Sequence, residues 1–186
     1  ILEHWRAKNS TAQDSLPKLV LISTSGGGLT SATWVLSSLL KADSLLDGAL
    51  LDHTAMMTGA SGGLLGAAYL RELKWRQAQG VLLHIDQEKH IQAVSRDLLN
   101  SIAFMLVAND LSIPWTTFEY GGERYFKDRG YIFEKQLNEN TDSILDKPLG
   151  AYRQAEEQAS IPLLLATPSI LNDGRMLYIS TQPMSF

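Results

Sequence analysis

The chain has 186 residues, 45% of them hydrophobic and 19% charged, and a formal net charge of -4 at pH 7. A chain of this size can bury the core of one domain and is short for two, so we predict a single domain over residues 1–186, with 1–17 as an irregular lead-in. The acidic balance removes the bulk electrostatic attraction to nucleic acid, and no nucleic-acid partner is expected. The absence of cysteine excludes disulfides, thiolate metal ligands and cysteine nucleophiles.

The sequence does not indicate a targeting or membrane-spanning segment. The longest apolar run, Ile102–Ala108, is far shorter than the roughly 20 residues that cross a bilayer. Residues 1–17 lack the basic start and apolar core of a signal peptide. We expect no transmembrane segment in this chain, and a cytoplasmic or membrane-associated location is favoured. A strand-like segment close to Phe186 suggests that the domain is incomplete at its C-terminal end.

Two strand–loop–helix units occupy the first half of the chain. Lys18–Thr24 is a short apolar run that ends in glycines, which predicts a buried strand, and helical spacing of apolar residues over Thr30–Lys41 predicts the helix after it. His53–Gly59 and Gly62–Gln79 repeat the pattern. Consecutive units of this kind imply parallel strands joined by crossover helices. The predicted fold is therefore α/β, with a mainly parallel sheet and flanking helices in three layers.

The second half of the chain gives weaker signals. A longer helix is predicted over Glu88–Ala108, with its core face read from Ile91, Val94, Leu98, Ile102 and Met105. Asn109–Gly130 is expected to be rich in loops, and two short helices are predicted over 131–140 and 146–158. The chain closes with two predicted strands, 161–167 and 175–181, joined by a tight turn at Asn172–Gly174.

Ser61 lies between glycines in Met56–Leu65, MMTGASGGLL, after an apolar strand and before a helix. Gly59–Gly63 matches the pattern G-x-S-x-G, in which a sharp strand-to-helix turn exposes a serine nucleophile. Small neighbours suit this turn, because larger side chains would collide with the strained backbone or shield the hydroxyl. The helix N-terminus that follows offers free N–H groups to an oxyanion, the Gly62 amide among them. A glycine turn that only lets helix and strand pack closely is the structural alternative.

Three consecutive glycines follow the preceding strand, in Ser23–Ala32, STSGGGLTSA. The N–H groups of Gly26, Gly27 and Gly28 are unshielded, which suits them to bind an oxyanion or a phosphate. Glycine turns at the carboxyl ends of neighbouring parallel strands are expected to face one pocket. The two turns together outline an acyl-transfer site. A phosphate- or nucleotide-binding module is the alternative, although the P-loop and dinucleotide patterns are absent.

A serine nucleophile needs a base that accepts its proton. The chain has no histidine after residue 90, whereas a hydrolase with a Ser-Asp-His order places its histidine late. Its four histidines are His4, His53, His84 and His90, and the last two are interpreted as solvated side chains. A carboxylate that acts directly on the serine is therefore favoured.

Two motifs resemble those of the patatin-like phospholipases: SGGGLTSA and, one strand–helix unit later, TGASGG. A looser resemblance extends to DLLNSIAF, KDRGYIFEKQL and the closing strands. The resemblance implies a lipid acyl hydrolase with a Ser-Asp dyad on an α/β sheet, a glycine-rich oxyanion loop and an aspartate in a D-G-[GA] motif near the end of the domain. Ser61 matches the nucleophile and Gly26–Gly28 the oxyanion loop, with the Gly62 amide as a further donor. Thr30 stands where the family commonly has Arg or Lys.

The aspartate that the resemblance implies is not identified by a complete motif. Asp173-Gly174 is the only Asp-Gly after Ser61, but Arg175 follows it, and a turn is the favoured interpretation. Asp110 and Asp128 are loop acids outside any motif. We therefore expect the aspartate to lie beyond Phe186. An inert fragment that lacks its base is the remaining alternative.

A lipid or ester is thus the expected substrate, with peripheral membrane contact as a further expectation, and no metal or cofactor is implied. Trp115 and Phe118, in the aromatic loop Ser112–Gly122, are candidates for an acyl pocket or a lipid surface. Packing within the loop or core is the alternative for both. The sequence does not indicate an oligomeric state.

Overall fold

The computed structural model describes residues 1–11, 16–113 and 115–184, and of Asn109 and Asp110 it describes only the backbone. The helices are α1 (Leu2–Asn9), α2 (Gly28–Leu45), α3 (Leu50–His53), α4 (Ser61–Ala78), α5 (Gln87–Ser95), α6 (Leu99–Met105), α7 (Arg129–Asn140) and α8 (Arg153–Glu157). A π-helical turn (Leu106–Asp110) continues α6, and a 3-10 turn (Leu149–Tyr152) precedes α8. The strands are β1 (Val20–Thr24), β2 (Thr54–Gly59), β3 (Thr117–Tyr120), β4 (Glu123–Phe126) and β5 (Leu163–Ala166).

The main sheet is parallel, with the strand order β1-β2-β5. Thr24 is aligned with Gly59, and Gly59 with Ala166, so the three strands end together at one edge. The predicted α/β class with a parallel sheet is confirmed. The glycine loop after β1 and the serine turn after β2 consequently leave the sheet side by side.

The main core lies between this sheet and the helices α2 and α4. Its fully buried residues are Ala32, Leu36, Met57, Ala67, Tyr69, Leu70 and Leu73. Ile22 faces this core from β1, whereas Leu21, on the opposite face by strand alternation, is 58% exposed. Two layers are therefore evident in the described residues, and a third layer is not seen there.

The lead-in is helical over Leu2–Asn9, so the prediction of an irregular segment over 1–17 is wrong for this part. Trp5 is buried against Ala55 and Ala159, and its indole N–H donates to the His53 carbonyl at 3.2 Å. One tryptophan anchors an otherwise polar helix, and a single anchor gives no periodic signal. Residues 12–15 of the lead-in lie outside the described part of the chain.

The single helix predicted over Glu88–Ala108 is instead two helices, α5 and α6, separated at Arg96–Leu98. The Asp97 carboxylate accepts the Leu99 N–H at 2.8 Å, and the Asn140 amide donates to the carbonyls of Arg96 and Asp97 at 3.4 and 3.3 Å. By length and composition alone, Gln87–Ala108 is long and apolar enough to cross a membrane, which is weak support for a span. The break divides that segment, in keeping with the expectation of no spanning helix.

The region predicted to be rich in loops contains the hairpin β3-β4, whose turn residues Gly121 and Gly122 both have positive φ, 61° and 85°. The helices predicted over 131–140 and 146–158 are present as α7 and as the 3-10 turn with α8. The second closing strand, predicted over 175–181, is absent. These residues form only isolated antiparallel bridges, at Met176 and Ile179. Pro168, which has no N–H, interrupts the ladder there.

Candidate active site

Ser61 lies on a sharp turn between β2 and α4. The strand ends at Gly59, one residue separates it from the helix, and Ser61 is the first residue of α4. Its φ of 54° is in the left-handed region, which costs a residue with a Cβ roughly 1–2 kcal/mol. Its side chain is exposed. The turn therefore has the strained strand-to-helix geometry that the G-x-S-x-G pattern predicts.

Close backbone packing maintains this turn. Gly59 has a φ of 155°, and a Cβ at this position would overlap Thr24 at the end of β1. Along α4, a Cβ on Gly62, Gly63 or Gly66 would overlap the carbonyl oxygens of Gly28, Ser25 and Ala32, respectively. The start of α4 therefore packs directly against the backbone of the glycine loop and α2. The small residues of the motif are required by this contact as well as by the turn.

The glycine loop passes directly beside the serine hydroxyl. A Cβ built on Gly26 would lie 3.9 Å from Ser61 Oγ, and Gly27 and Gly28 have φ values of 144° and 61°. The Ser31 hydroxyl donates to the Ser25 carbonyl at 2.9 Å, which ties the loop to the first turn of α2. The structure thus brings Gly26–Gly28 to Ser61, as predicted.

Free backbone donors converge at this point. No described residue accepts a hydrogen bond from the amides of Gly26, Gly27, Gly28 or Gly62. Both α2 and α4 begin here, and neither has a side-chain cap at its N-terminus. The first N–H groups of a helix have no intrahelical partner and carry partial positive charge. An oxyanion formed beside Ser61 Oγ would meet donors from both helices.

A cavity of about 430 Å³ opens beside the serine. Ser61, Gly28 and Gly62 line it together with nine apolar side chains: Leu29, Leu64, Leu65, Ala68, Leu98, Leu99, Ile102, Phe133 and Leu164. A cavity with an apolar lining and a few polar groups at one place suits an alkyl chain that carries one reactive polar group. The α6 and α7 walls were missed from sequence, because the apolar positions of 98–105 were assigned to the core.

The aromatic loop does not line this cavity. Trp115 is exposed, and Phe118 packs against Tyr131 and Tyr125 with ring centroids 4.5 and 5.7 Å apart. Packing is therefore the correct interpretation of Phe118. Neither residue lines the cavity beside Ser61, and the lipid-surface role of the exposed Trp115 stays a prediction.

The candidate acids are engaged elsewhere. Asp173 accepts hydrogen bonds from the Arg175 backbone N–H and Nε, at 3.0 and 2.7 Å, and these bonds lower the pKa of its carboxyl. Gly174, at a φ of 71°, completes the turn, so the turn interpretation is correct. Asp128 caps α7 by accepting the Tyr131 N–H at 3.0 Å, and the side chain of Asp110 lies outside the described residues. Within the described part of the chain, no carboxylate is hydrogen-bonded to the Ser61 hydroxyl.

The prediction of two solvated histidines is correct for His84 and wrong for His90. His90 is only 6% exposed, and its Nδ1 lies 3.1 Å from the Tyr69 hydroxyl of α4. Burial lowers the pKa of His90, and burial together with Asp142 raises the pKa of Tyr69 to about 12. This pair links α5 to α4 by one side-chain contact, and neither residue lines the cavity beside Ser61.

A network of buried charges crosses the second half of α4. Arg71 Nη1 lies 2.8 Å from Glu156 Oε1, with both side chains almost fully buried. Glu72 accepts hydrogen bonds from Arg76, Lys147 and Tyr152 at 2.6 to 2.8 Å. Burial acts to raise the pKa of Glu72, but these three donors outweigh it and the pKa lies below its usual value. The network joins α4 to α8 and to the loop before it.

Among the described residues, no group of three or more His, Asp and Glu side chains is arranged to hold a metal ion. No protein-family model matches the chain, and no curated protein or solved structure matches it either. The function is therefore inferred from Ser61, the glycine loop and the cavity.

Proposed function

We propose that the chain carries the nucleophile and the oxyanion donors of a lipid acyl hydrolase, a phospholipase or esterase of the patatin-like kind. One observation supports this above all: Ser61 has left-handed backbone geometry on a strand-to-helix turn and lines an apolar cavity. Left-handed geometry at a residue other than glycine is costly, and such strain is concentrated at functional sites. An apolar cavity beside the hydroxyl suits the acyl chain of the ester.

The proposed reaction proceeds through a covalent acyl-serine. Ser61 Oγ attacks the ester carbonyl while a base takes the hydroxyl proton. The amides of Gly26–Gly28 and Gly62 stabilise the charge that develops on the carbonyl oxygen. Collapse of the tetrahedral intermediate releases the alcohol, which takes up the proton held by the base. Water, deprotonated by the same base, then attacks the acyl-serine carbonyl. The base returns the proton to Ser61 Oγ as the bond to the acyl group breaks, which releases the fatty acid and restores the serine hydroxyl.

An aspartate is the proposed base, and we propose that it lies beyond Phe186. Asp173 is a poor candidate, because its carboxylate is bound to Arg175 and does not line the cavity. His90 is equally unsuitable, since its ring is buried against Tyr69. Turnover by residues 1–186 alone would contradict this assignment and favour Asp173.

The test compares the full-length protein with its Ser61→Ala variant on p-nitrophenyl and phospholipid esters. Loss of the nucleophile is expected to lower kcat by about 1,000-fold or more. A fluorophosphonate probe should label the parent protein and fail to label Ser61→Ala. Ser37→Ala, at an exposed position of α2, is the matched control and should keep full activity.

Equal activity of the parent and Ser61→Ala would refute the proposal. Calorimetry with ATP and with inorganic phosphate tests the alternative of a phosphate-binding module. Binding of either ligand, lost on Gly27→Ala and unaccompanied by ester cleavage, would establish that alternative. The apolar lining of the cavity makes this result unexpected, because a phosphate would lie among leucine side chains.

Peripheral contact with a membrane is part of the same proposal. Leu98–Asn109 contains no charged residue, and α6 with the segment after it exposes Leu99, Phe104, Val107 and Leu111. Leu99 also lines the cavity, so this apolar surface is continuous with the substrate pocket. We expect Phe104→Asp to weaken sedimentation with phosphatidylcholine vesicles about tenfold or more. Leu45→Asp, at the far end of α2, is the control, and an equal loss for both variants would contradict a specific surface.

A further inference from the structure

The cavity beside Ser61 follows one face of α4. From this helix Ser61, Gly62, Leu64, Leu65 and Ala68 contribute to its lining, a spacing that places them on one side over two turns. Ala68 is partly accessible, although its neighbours Ala67, Tyr69 and Leu70 are fully buried. The cavity is therefore a groove that begins at the serine hydroxyl and runs along the helix to Ala68.

The character of the helix face changes sharply after Ala68. The next residues on this face, Arg71 and Glu72, line a separate cavity of about 150 Å³. Lys147 and Tyr152 line it too, together with the apolar Leu145 and Leu149. Ala68 and Leu164 line both cavities and form the boundary between them. On one side of this boundary the side chains beyond the serine turn are all apolar, and on the other charged and hydrogen-bonded side chains lie among leucines. A methylene group gains free energy on the apolar side and gains little among hydrogen-bonded charges.

The length of the groove follows from helix geometry. Ala68 is seven positions after Ser61 along α4, which corresponds to about 10.5 Å at a rise of about 1.5 Å per residue. An extended alkyl chain advances about 1.25 Å per carbon, given carbon–carbon bonds of about 1.5 Å. About eight carbons therefore fill the distance between the hydroxyl and Ala68.

We propose that this groove selects acyl chains of medium length, about eight carbons, and that Ala68 and Leu164 set its limit. The inference rests on the proposed acyl hydrolase function and specifies its substrate class. Chains shorter than the groove leave apolar surface unfilled. Longer chains have to leave the groove for solvent or push against the Arg71–Glu72 network.

The test is a binding series that requires no turnover. Calorimetry measures the affinity of the full-length Ser61→Ala protein for methyl esters from methyl butanoate to methyl dodecanoate. Each buried methylene is expected to raise the affinity about fourfold up to the octanoate, with no further gain beyond it. Affinity that keeps rising at the same rate through the dodecanoate would overturn the length limit.

A matched pair of substitutions locates the boundary. Ala68→Leu should move the plateau two or three carbons shorter and leave the affinity for methyl butanoate unchanged. Ala78→Leu makes the same change at an exposed position of α4 outside the groove and should leave the series unaltered. If adding Ala68→Leu to the Ser61→Ala protein left the dependence of affinity on chain length unchanged, the role of Ala68 would be refuted. If Ala68→Leu fails to fold, the series on Ser61→Ala alone still decides the length limit.

The outcomes separate this inference from the proposed function. Binding with a break near eight carbons, in a protein that cleaves no ester, would support the groove and refute the hydrolase. Ester cleavage that depends on Ser61, with no dependence of affinity on chain length, would support the hydrolase and refute the groove.

Discussion

The two ends of helix α4 differ in backbone geometry and in charge. At the N-terminal end Ser61 is neutral and exposed, has a φ of 54°, and lies beside amides that bond to no described residue. In the second half Arg71 and Glu72 are almost fully buried and paired with residues of distant segments. Shifted pKa values are clustered at the buried end, whereas the candidate nucleophile is marked by backbone geometry alone.

The two ends of α4 therefore have different roles. The buried charges support the fold, and the exposed serine belongs to the candidate site. Perturbed ionisable groups often indicate a functional site, but ion-pair networks inside a scaffold perturb pKa values as well. Here the charged network joins α4 to α8 and to β5, since Glu156 also accepts the Leu164 N–H at 3.1 Å. The network thereby holds the second half of α4, whereas the position of Ser61 is set by the close contacts of Gly62 and Gly63 with the glycine loop. Variants at the two ends should separate stability from activity.

The largest effect on stability is expected for Glu156→Gln. The change leaves the Arg71 guanidinium buried without its counter-charge, which typically costs about 3–5 kcal/mol of unfolding free energy. Chemical denaturation measures the loss, and Glu157→Gln, the exposed neighbouring carboxylate, is the control. Fluorophosphonate labelling of Ser61, measured where the variant is still folded, should keep its parental rate.

A double replacement sharpens the same comparison. Arg71→Met together with Glu156→Gln removes both charges and keeps a side-chain acceptor for the Leu164 N–H, and removal of both charges of a buried pair is often neutral or stabilising. We expect the double variant to recover most of the stability that Glu156→Gln loses. A double variant that is folded and stable but no longer labels would show that the network acts on the site directly.

The second prediction concerns the strained end of the helix. Ser61→Gly should raise the unfolding free energy by about 1 kcal/mol, because glycine adopts the left-handed conformation without the Cβ penalty. Ser61→Ala keeps the Cβ and should stay within about 0.5 kcal/mol of the parent. Both variants should be inactive.

Ser37→Gly, in the interior of α2, provides the opposite control. At a normal helical position glycine is expected to lower the unfolding free energy by about 0.5 kcal/mol. Thermal denaturation of the three variants side by side measures the contrast. If Ser61→Gly were destabilising to the same extent as Ser37→Gly, the strain at residue 61 would be disproved.

The N-terminal end of α4 was largely predictable from sequence. Consecutive glycines after an apolar run are local signals, and their order places Gly26–Gly28 and Ser61 at the ends of neighbouring strands without knowledge of distant contacts. The hairpin at Gly121-Gly122 was equally readable, since two glycines between alternating segments are a strong turn signal. The expectation of loops over Asn109–Gly130 is therefore too general, since this local signal predicts a hairpin.

The other end of α4 was not predictable in this way. Arg71 and Glu72 are ordinary helix formers by sequence, and their burial depends on Glu156, Lys147 and Tyr152, which come from a distant part of the chain. The α6 wall of the groove depends on the break before this helix, because α6 packs on α7 and does not continue the direction of α5. Asp97, whose carboxylate accepts the Leu99 N–H two residues on in a local turn, is the local signal for that break.

The smallest effect is expected for His90, a buried residue of α5 that lies beside Tyr69 in the middle of α4. Lys89 and Asp86 from its own helix region, Tyr69 from α4 and Asp142 after α7 are the groups that influence it, and burial is the main cause of its lowered pKa. Below a pH of about 6.5 the unfolded chain therefore binds a proton more readily than the folded one. Stability should be complete above this pH and should fall as the pH drops toward the folded pKa, with a slope of at most about 1.4 kcal/mol per pH unit.

His90→Gln tests this loss of stability at low pH and the assignment of His90 to the scaffold. Glutamine can still bond to the Tyr69 hydroxyl but does not titrate, so the difference in unfolding free energy between pH 7 and pH 5.5 should shrink relative to the parent. His84→Gln removes an exposed histidine nearby and is expected to leave that difference in place. Fluorophosphonate labelling should survive in both variants. Loss of labelling on His90→Gln, in a protein that is still folded, would make His90 part of the site. It would also contradict the assignment of the buried groups along α4 to the scaffold alone.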